Sequence, residues 1–525
     1  MQETSSTATT NSLLADGPTT LLEAPAKPLV ASEVRSQRIL ETIFSFPVVR
    51  VVLLVMMAVF TFRSRFNTTD TWWNLKTGEI IWNTHQVPTV DTFAFTTNHH
   101  SVVPHEWLAQ LSIYATYHFG GYIGMAVWFY VFASLFSVAA YALCWRYSGS
   151  GKIAFLGALG IWFFATIGFN IRAQLIGYLL LVSELLILWL GRARNAKWFL
   201  LLSPLFVLWV NCHGSFLLGL VVLGTVLGCS FLGFRAGLLV SYCWTRQQRT
   251  MLATAVMLSI GGLFVNPVGF TQVAYPINTM FAQKVALAVV SEWQPAPFDD
   301  PRAWGLLVIG GLILLVPLLR RVELTFQELL LVGLGFELAV QHERMVFVFG
   351  IFAMPVLCRL VAAAWNWRPT NRNRVLLNVV VITIAICVIV QRFPSSRELT
   401  EEVSKGNPVK ALNFMRHAGL SGRMLNDYNY GGYLIWAAPE RKVFADGRGD
   451  VYEWTGVLKD YARFAYVLEE PTLLLKKYHI DYCVLSHNLP VSRVMELLPG
   501  WKSVYSDDMS IVFVRSTSSA RVRTK

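Results

Sequence analysis

No CxxC pair, no phosphate-binding glycine loop and no internal repeat occurs anywhere in this chain. The first absence removes the usual zinc and dithiol motifs. The second removes a nucleotide-binding domain of the phosphate-loop kind. Seven cysteines are present but build no disulfide framework: Cys144, Cys229, Cys243, Cys358 and Cys387 lie in or beside apolar runs, Cys212 ends one, and Cys483 stands alone near the C-terminus. Charge is scarce too, at 14% of 525 residues. Residues 1–42 are rich in Ser, Thr, Ala and Pro and lack the charged start and short apolar core of a signal peptide. They are expected to form a disordered cytoplasmic tail.

What replaces charge is apolar surface. The chain is 54% hydrophobic, with 18 Trp and 34 Phe, the balance of a polytopic membrane protein. A bilayer span needs about 20 mostly apolar residues. Runs of that character lie at 44–62, 120–145, 153–169, 174–191, 198–212, 214–234, 250–266, 303–319, 325–340, 345–363 and 375–391, so about 11 transmembrane helices are expected. The runs 198–212 and 214–234 read either as two spans or as one long broken helix. Cytoplasmic loops carry the excess of Lys and Arg. With the N-terminus inside, thirteen Lys or Arg fall in short inner loops, and only Arg172, Lys284, Arg302 and Arg344 fall in short outer ones. The net charge of +12 is therefore mostly topology. No basic patch interleaved with exposed aromatics points to nucleic acid.

Three regions follow: the tail 1–42, a membrane body 43–391 with one long outer loop 63–119, and an outer α/β domain 392–525. In the loop, Thr71 to Trp82 has helical spacing, with Trp72, Leu75, Glu79 and Trp82 on one stripe suited to a membrane interface. A second loop helix is expected from His105 to Phe119, ended by Gly120-Gly121. In the outer domain 423–425, 442–445, 482–486 and 510–515 read as strands, and 432–437 and 472–478 as helices. Gly431-Gly432 and Asp446-Gly447 read as turns.

Nearly every unusual polar residue falls on the outer side. Asp70, beside Trp72 and Trp73, reads as a general base partly desolvated by the indoles, or as the N-cap of the helical stripe. Glu106, after His105, is a second acid or a carboxylate placed for the helix dipole. Two carboxylates in one loop can also hold a divalent cation through oxygen ligands. Arg172 and Gln174 share one short outer turn, and His342, Glu343 and Arg344 share another. With His213, the two arginines suit a phosphate or pyrophosphate; alternatively each snorkels to lipid headgroups. Asn211 and Asn266 end spans, where capping explains them. Glu292-Trp293 pairs a polar edge with an aromatic face, as carbohydrate sites do, or is a packed loop. Glu184 is the exception, a carboxyl inside a span.

The order of these pieces resembles the GT-C superfamily of membrane glycosyltransferases, among them the protein O-mannosyltransferases and the bacterial aminoarabinose transferase. The resemblance rests on Asp70-Thr71-Trp72-Trp73-Asn74-Leu75, Pro88-Thr89-Val90-Asp91-Thr92-Phe93, His105-Glu106-Trp107-Leu108, Asn211-Cys212-His213-Gly214, Gly431-Gly432-Tyr433 and Asp446-Gly447-Arg448, over most of 44–515. It implies transfer of a hexose or pentose from a polyprenyl-phosphate donor to a glycan, lipid or protein acceptor, with inversion, on the outer face of the inner (plasma) membrane. It gives Asp70 the role of base. Many relatives carry Asp-Glu where this chain has Asp70-Thr71, so the second acid falls to Glu106 or the site is impaired. Arg172, His213 and Arg344 would bind the phosphate, with His105, Gln174, Glu292, Trp293 and His342 around the substrate. A flippase of lipid-linked saccharide, or an idle GT-C relative serving in assembly, are the alternatives.

Overall fold

The computed structural model describes residues 42–516 except 44, 62–65, 67, 98, 283–284, 286–290 and 366–373. The expected tail, and the charges Lys284, Arg368 and Arg372, lie outside the described residues. Each of the eleven apolar runs falls on a helix. Among the described residues, six helices are long and apolar enough to cross a membrane: Trp107–Ser148, Gly151–Gly168, Gln174–Ala193, Pro301–Arg320, Glu343–Ala364 and Val375–Arg392. Phe46–Thr61, Ala196–Cys212 and Phe216–Cys229 are shorter apolar helices, and Arg246–Gly262 and Phe326–Gln341 cover the remaining runs. The region 198–234 is two helices. His213 is extended (φ −165°, ψ 140°), and the rings of Phe206 and Trp209 close on Gly219. Residues 206 and 219 would stand about 20 Å apart along one straight helix, so the chain reverses between them.

The long Trp107–Ser148 segment is also two helices. Gly121 adopts φ 57°, ψ −141°, a conformation open to glycine, and the chain folds back there. Trp128 Nε1 then donates to Ser112 Oγ at 2.9 Å, sixteen residues away. The Gly120-Gly121 stop read from the sequence is thus a hairpin between the second loop helix and a membrane span.

The first loop helix, Thr69–Thr84, is not a one-sided interfacial helix. Trp72, Asn74, Leu75, Thr77 and Gly78 are all buried. It packs between the second loop helix and the Tyr428–Ala437 helix, with Trp72 edge-on to Tyr433 at 5.3 Å. Protein rather than lipid covers its apolar face.

Residues 424–515 contain a four-stranded sheet in the order Met424–Asn426, Tyr482–Ser486, Ser510–Arg515, Trp501–Ser506. The first pair is parallel and the others antiparallel. Two expectations need correction. Residues 442–445 are not a strand of this sheet: Phe95 N–H donates to Val443 O (3.2 Å) and Val443 N–H to Phe93 O (3.1 Å), so the long loop takes up the backbone of Val443, while the Asn426 side chain holds Phe444 N–H and the Ala445 carbonyl. Gly431-Gly432 is no turn but lies within the Tyr428–Ala437 helix. The edge strand Trp501–Ser506 escaped reading because only part of one face is covered, which leaves little apolar alternation.

Candidate active site

Three interhelical turns and the start of the first loop helix converge on one end of the bundle. Residues 169–173 present Arg172, the turn after Cys212 presents His213, and the turn after Gln341 presents Arg344. A cavity of about 710 Å³ opens among them. Its polar end is lined by Asp70, His105, Glu106, Arg172, Gln174, His213, Glu292, Trp293 and Arg344. Its other end is apolar, with Leu217, Leu218, Val221, Met280, Leu334 and Leu338. His342 does not line it. Its Nδ1 bonds the Trp293 carbonyl at 2.7 Å and so holds the loop that carries Glu292.

Asp70 lies inside the first helical turn, one residue past the helix start. The N-cap position belongs to Thr68, and Asp70 makes no capping bond. The cap reading of Asp70 is therefore corrected. Its carboxylate instead accepts from Trp73 Nε1 (3.1 Å) and Arg172 Nη1 (2.6 Å). The other arm of Arg172 donates to Glu292 Oε1 at 2.8 Å. One guanidinium thus bridges two carboxylates, and these charges raise its pKa further against the opposing effect of burial. Burial pushes the Glu292 carboxyl up, but Arg172 and Arg344 outweigh it and hold the group below the usual carboxylate range. Arg344 forms no salt bridge among the described residues; it stacks over the Trp293 ring at 4.3 Å.

Glu106 stands between two imidazoles, 3.6 Å from His105 Nε2 and 3.7 Å from His213 Nε2. His105 Nδ1 faces the Val103 carbonyl at 3.1 Å, which can only accept, so Nδ1 carries a proton. His213 is arranged differently. Ser215 N–H donates to its Nδ1 (3.1 Å), which leaves the proton on Nε2, toward Glu106. Burial, and then the charges of Arg344, His105 and Arg172, push His213 down to about 3. It is a neutral donor at ordinary pH, and not a third cation beside the two arginines.

Burial raises the Glu106 carboxyl above its ordinary value, with Asp70 adding to the rise and His105, Arg172 and Arg344 opposing it. A raised carboxyl holds its proton more tightly when folded. Its contribution to stability is complete below the unfolded pKa, about 4.3, and is lost as pH rises through the folded value. Glu106→Gln cannot ionise. It is expected to melt near the wild-type temperature at pH 4 and above it at pH 7.5. A gap that stays the same at both pH values would refute this account.

Several residues of the site escaped sequence reading. Tyr275 stacks on His105 (4.2 Å between centroids) and donates its hydroxyl to Asp450 Oδ2 at 2.7 Å. Tyr428, Asn429, Gly447 and Asp450 line the large cavity from the C-terminal part of the chain. Their signal is a pair of motifs read from the sequence, whose role is to dock that part. Arg448 donates to Asp91 (2.8 Å) and to Asp446 (2.8 and 2.7 Å). Burial pushes Asp91 up, but Arg448 and the bonds from Thr97, Arg448 and Phe93 outweigh it and keep the carboxyl below its usual value. This clamp lays Gly447 against the base candidate: a Cβ there would meet Asp70 Oδ1 at 2.4 Å. Gly432 N–H donates to Thr69 Oγ1 at 3.1 Å, one residue from Asp70.

Other candidates serve as ties. Asn211 donates to the Val207 and Val265 carbonyls and accepts from Trp107 Nε1, which locks the second loop helix to the bundle. Asn266 closes its own turn onto Leu263 and Gly269. Glu184 is fully buried in the Gln174–Ala193 helix, with both oxygens unpartnered among the described residues. It lies ten residues past Gln174, about 15 Å along the helix, and lines neither of the cavities at the site.

No protein-family profile matches the sequence, and no curated protein matches it. Solved structures do. The archaeal oligosaccharyltransferase AglB from Archaeoglobus fulgidus, in complex with an inhibitory peptide and a dolichol-phosphate, superposes with a TM-score of 0.53 at 13% identity, over 83% of this chain and 69% of that one. An apo form of the Archaeoglobus fulgidus oligosaccharyltransferase gives 0.51 at 13% identity, with the same coverage. ArnT from Cupriavidus metallidurans, bound to undecaprenyl phosphate, gives 0.50 at 11% identity, over 90% of this chain and 98% of that one. At such identities the likeness is one of fold. The fold is one that this chain shares with the oligosaccharyltransferase AglB and with ArnT.

Proposed function

We propose that this chain works as an integral membrane glycosyltransferase of the GT-C kind, moving a sugar from a polyprenyl-phosphate donor to a hydroxyl-bearing acceptor. One observation carries the reading. A single cavity joins an apolar lining, suited to a prenyl chain, to four carboxylates, Asp70 and Glu106 among them, and two guanidiniums, suited to acid–base work and to phosphate. The phosphate of the donor docks on Arg344, and Arg172 shares it. Asp70 accepts the acceptor hydroxyl proton as the new C–O bond forms at the anomeric carbon. The old C–O bond breaks on the opposite face, and both electrons leave on the carrier phosphate, stabilised by the guanidiniums and the neutral His213 N–H. Inversion follows from that one displacement. Glu106 orients the sugar, and Glu292 holds Arg172.

Between Asp70 and Glu292 the place a cation would take is held by Arg172, whereas the Asp70 and Glu106 carboxylates stand as the candidate pair for a divalent ion through oxygen ligands. Transfer from a panel of polyprenyl-phosphate sugars by the purified protein in lipid tests the reading. Release of carrier phosphate with a product glycoside is expected, and a chelator arm tests whether a divalent ion at Asp70 and Glu106 takes part. No turnover of any donor would favour an assembly role. Movement of intact donor across the bilayer would favour a flippase, for which Glu184 is the relevant mid-helix group.

The site faces the non-cytoplasmic side in this reading, with the N-terminus inside and residues 392–525 outside. The Lys/Arg asymmetry of the short loops supports it. A reporter fused after Lys525 is expected to be active only outside the cytoplasm. Activity only inside would overturn both orientation and mechanism.

A further inference from the structure

Asp70, Glu106 and Arg172 also line a second, smaller cavity, which leaves the first one in the opposite chemical direction. It runs into the 63–119 loop, between the Thr69–Thr84 helix and residues 88–104, and measures about 170 Å³. A cavity of about 150 Å³ takes one six-membered ring. Its walls include three neutral amides and an indole beside the charged groups it shares with the first cavity. Asn74, Gln110 and Gln174 are 1%, 4% and 5% exposed and all line it. Gln110 Nε2 donates to Asn74 Oδ1 at 2.9 Å. That bond leaves Gln110 Oε1 buried without a partner among the described residues, and Gln174 Oε1 has none either. Exchanging O and N within the bonded pair would leave a buried donor open in place of the Gln110 acceptor. Buried amides left open in this way are costly unless a ligand or water meets them. Trp73 lines the same space and donates its indole N–H to Asp70. A ring against Trp73 therefore lies within one indole of the base candidate.

We propose that this small cavity is the acceptor subsite and that it takes a single neutral sugar ring, so that the acceptor hydroxyl belongs to a saccharide. The inference rests on the transferase reading above. Open amide groups match hydroxyls, which both donate and accept. An aromatic wall matches the apolar face of a pyranose. A charged acceptor group would instead need an unpaired charge of its own: of the charges on the lining, Asp91 and Arg448 are spent on each other and Asp70 on Arg172, and Arg344 is the ligand of the donor phosphate in the reading above. The donor chain takes the apolar lining of the first cavity, so the two substrates reach Asp70 from different sides, as a displacement with inversion requires.

The test is binding by the full chain in lipid, read by saturation-transfer NMR. The probes are the methyl pyranosides of glucose, mannose, galactose and N-acetylglucosamine, with undecaprenyl phosphate, bare or carrying mannose, in a parallel arm. At least one methyl pyranoside is expected to bind wild type in the millimolar range. Val90 is 41% exposed at the rim, so Val90→Trp fills the cavity without touching the core and is expected to abolish that binding. Gln110→Leu, which removes the open amide, is expected to weaken it about 3–10-fold, the worth of one hydrogen bond. Both variants are expected to bind bare and mannose-bearing carrier as wild type does, which also shows that they fold. The proposal is overturned if no methyl pyranoside binds wild type, or if binding survives Val90→Trp. It is equally overturned if Val90→Trp weakens only the mannose-bearing carrier, because the cavity would then hold the donor sugar. If wild type ignores undecaprenyl phosphate, the transferase reading itself fails, whatever the pyranosides do.

Discussion

Asp70→Asn is expected to lower sugar transfer by about 10²–10⁴-fold, the usual worth of a general base. Asn has the same shape, and its oxygen still accepts from Trp73 Nε1. No helix cap is at stake, because Asp70 is not the cap. What disappears is the proton acceptor and the negative partner of one Arg172 arm, while Glu292 still holds the other. Expression, melting temperature and binding of undecaprenyl phosphate are expected to stay close to wild type. Glu106→Gln supplies the control. If Asp70→Asn stays fully active while Glu106→Gln is dead, the base is Glu106, whose carboxyl burial has raised toward neutrality. If both are fully active in a working assay, this loop carries no base.

Arg344→Met is expected to weaken binding of undecaprenyl phosphate by about 10–150-fold. That range is the roughly 1.5–3 kcal/mol of a hydrogen bond to a charged group, converted at 1.4 kcal/mol per tenfold. The choice of Arg344 over Arg172 follows from their company. Arg172 is committed to Asp70 and Glu292, whereas Arg344 has only the Trp293 face beneath it. Met keeps much of the length and the stacking while removing the charge. Arg344→Lys is expected to recover part of the affinity, since it restores charge without the planar fork. Unchanged binding by Arg344→Met would move the phosphate elsewhere in the cavity and dismantle the proposed clamp.

The same comparison of residues separates what pattern can reveal from what it cannot. The cap reading of Asp70 failed by a single residue. Thr68, Thr69 and Asp70 are all acceptable helix starters, and only the packed backbone decides which one stands at the N-cap. His213 reads as a phosphate ligand in sequence because its type allows a positive charge. Its neutrality comes from burial and from neighbours 41 residues before it and 131 after it, Arg172 and Arg344. Residues 442–445 have strand character, and the backbone bonds that settle their place come from residues 93–96, some 350 positions away.

Apolar runs and their spacing were enough to place the helices, and the polar motifs between them named Asp70, Glu106, Arg172, His213 and Arg344, which the structure brings to one cavity. Those properties are local: a lipid-crossing helix must satisfy its backbone within itself and shed charge, so its composition betrays it. The tertiary structure alone decided the partners. It set Arg172 between two carboxylates, neutralised His213, brought Gly447 and Asp450 to the cavity through the Asp91–Arg448 clamp, and opened a second, amide-lined cavity inside the loop. Charge pairing, burial and cavity shape depend on side chains hundreds of residues apart. No periodicity along the chain records them.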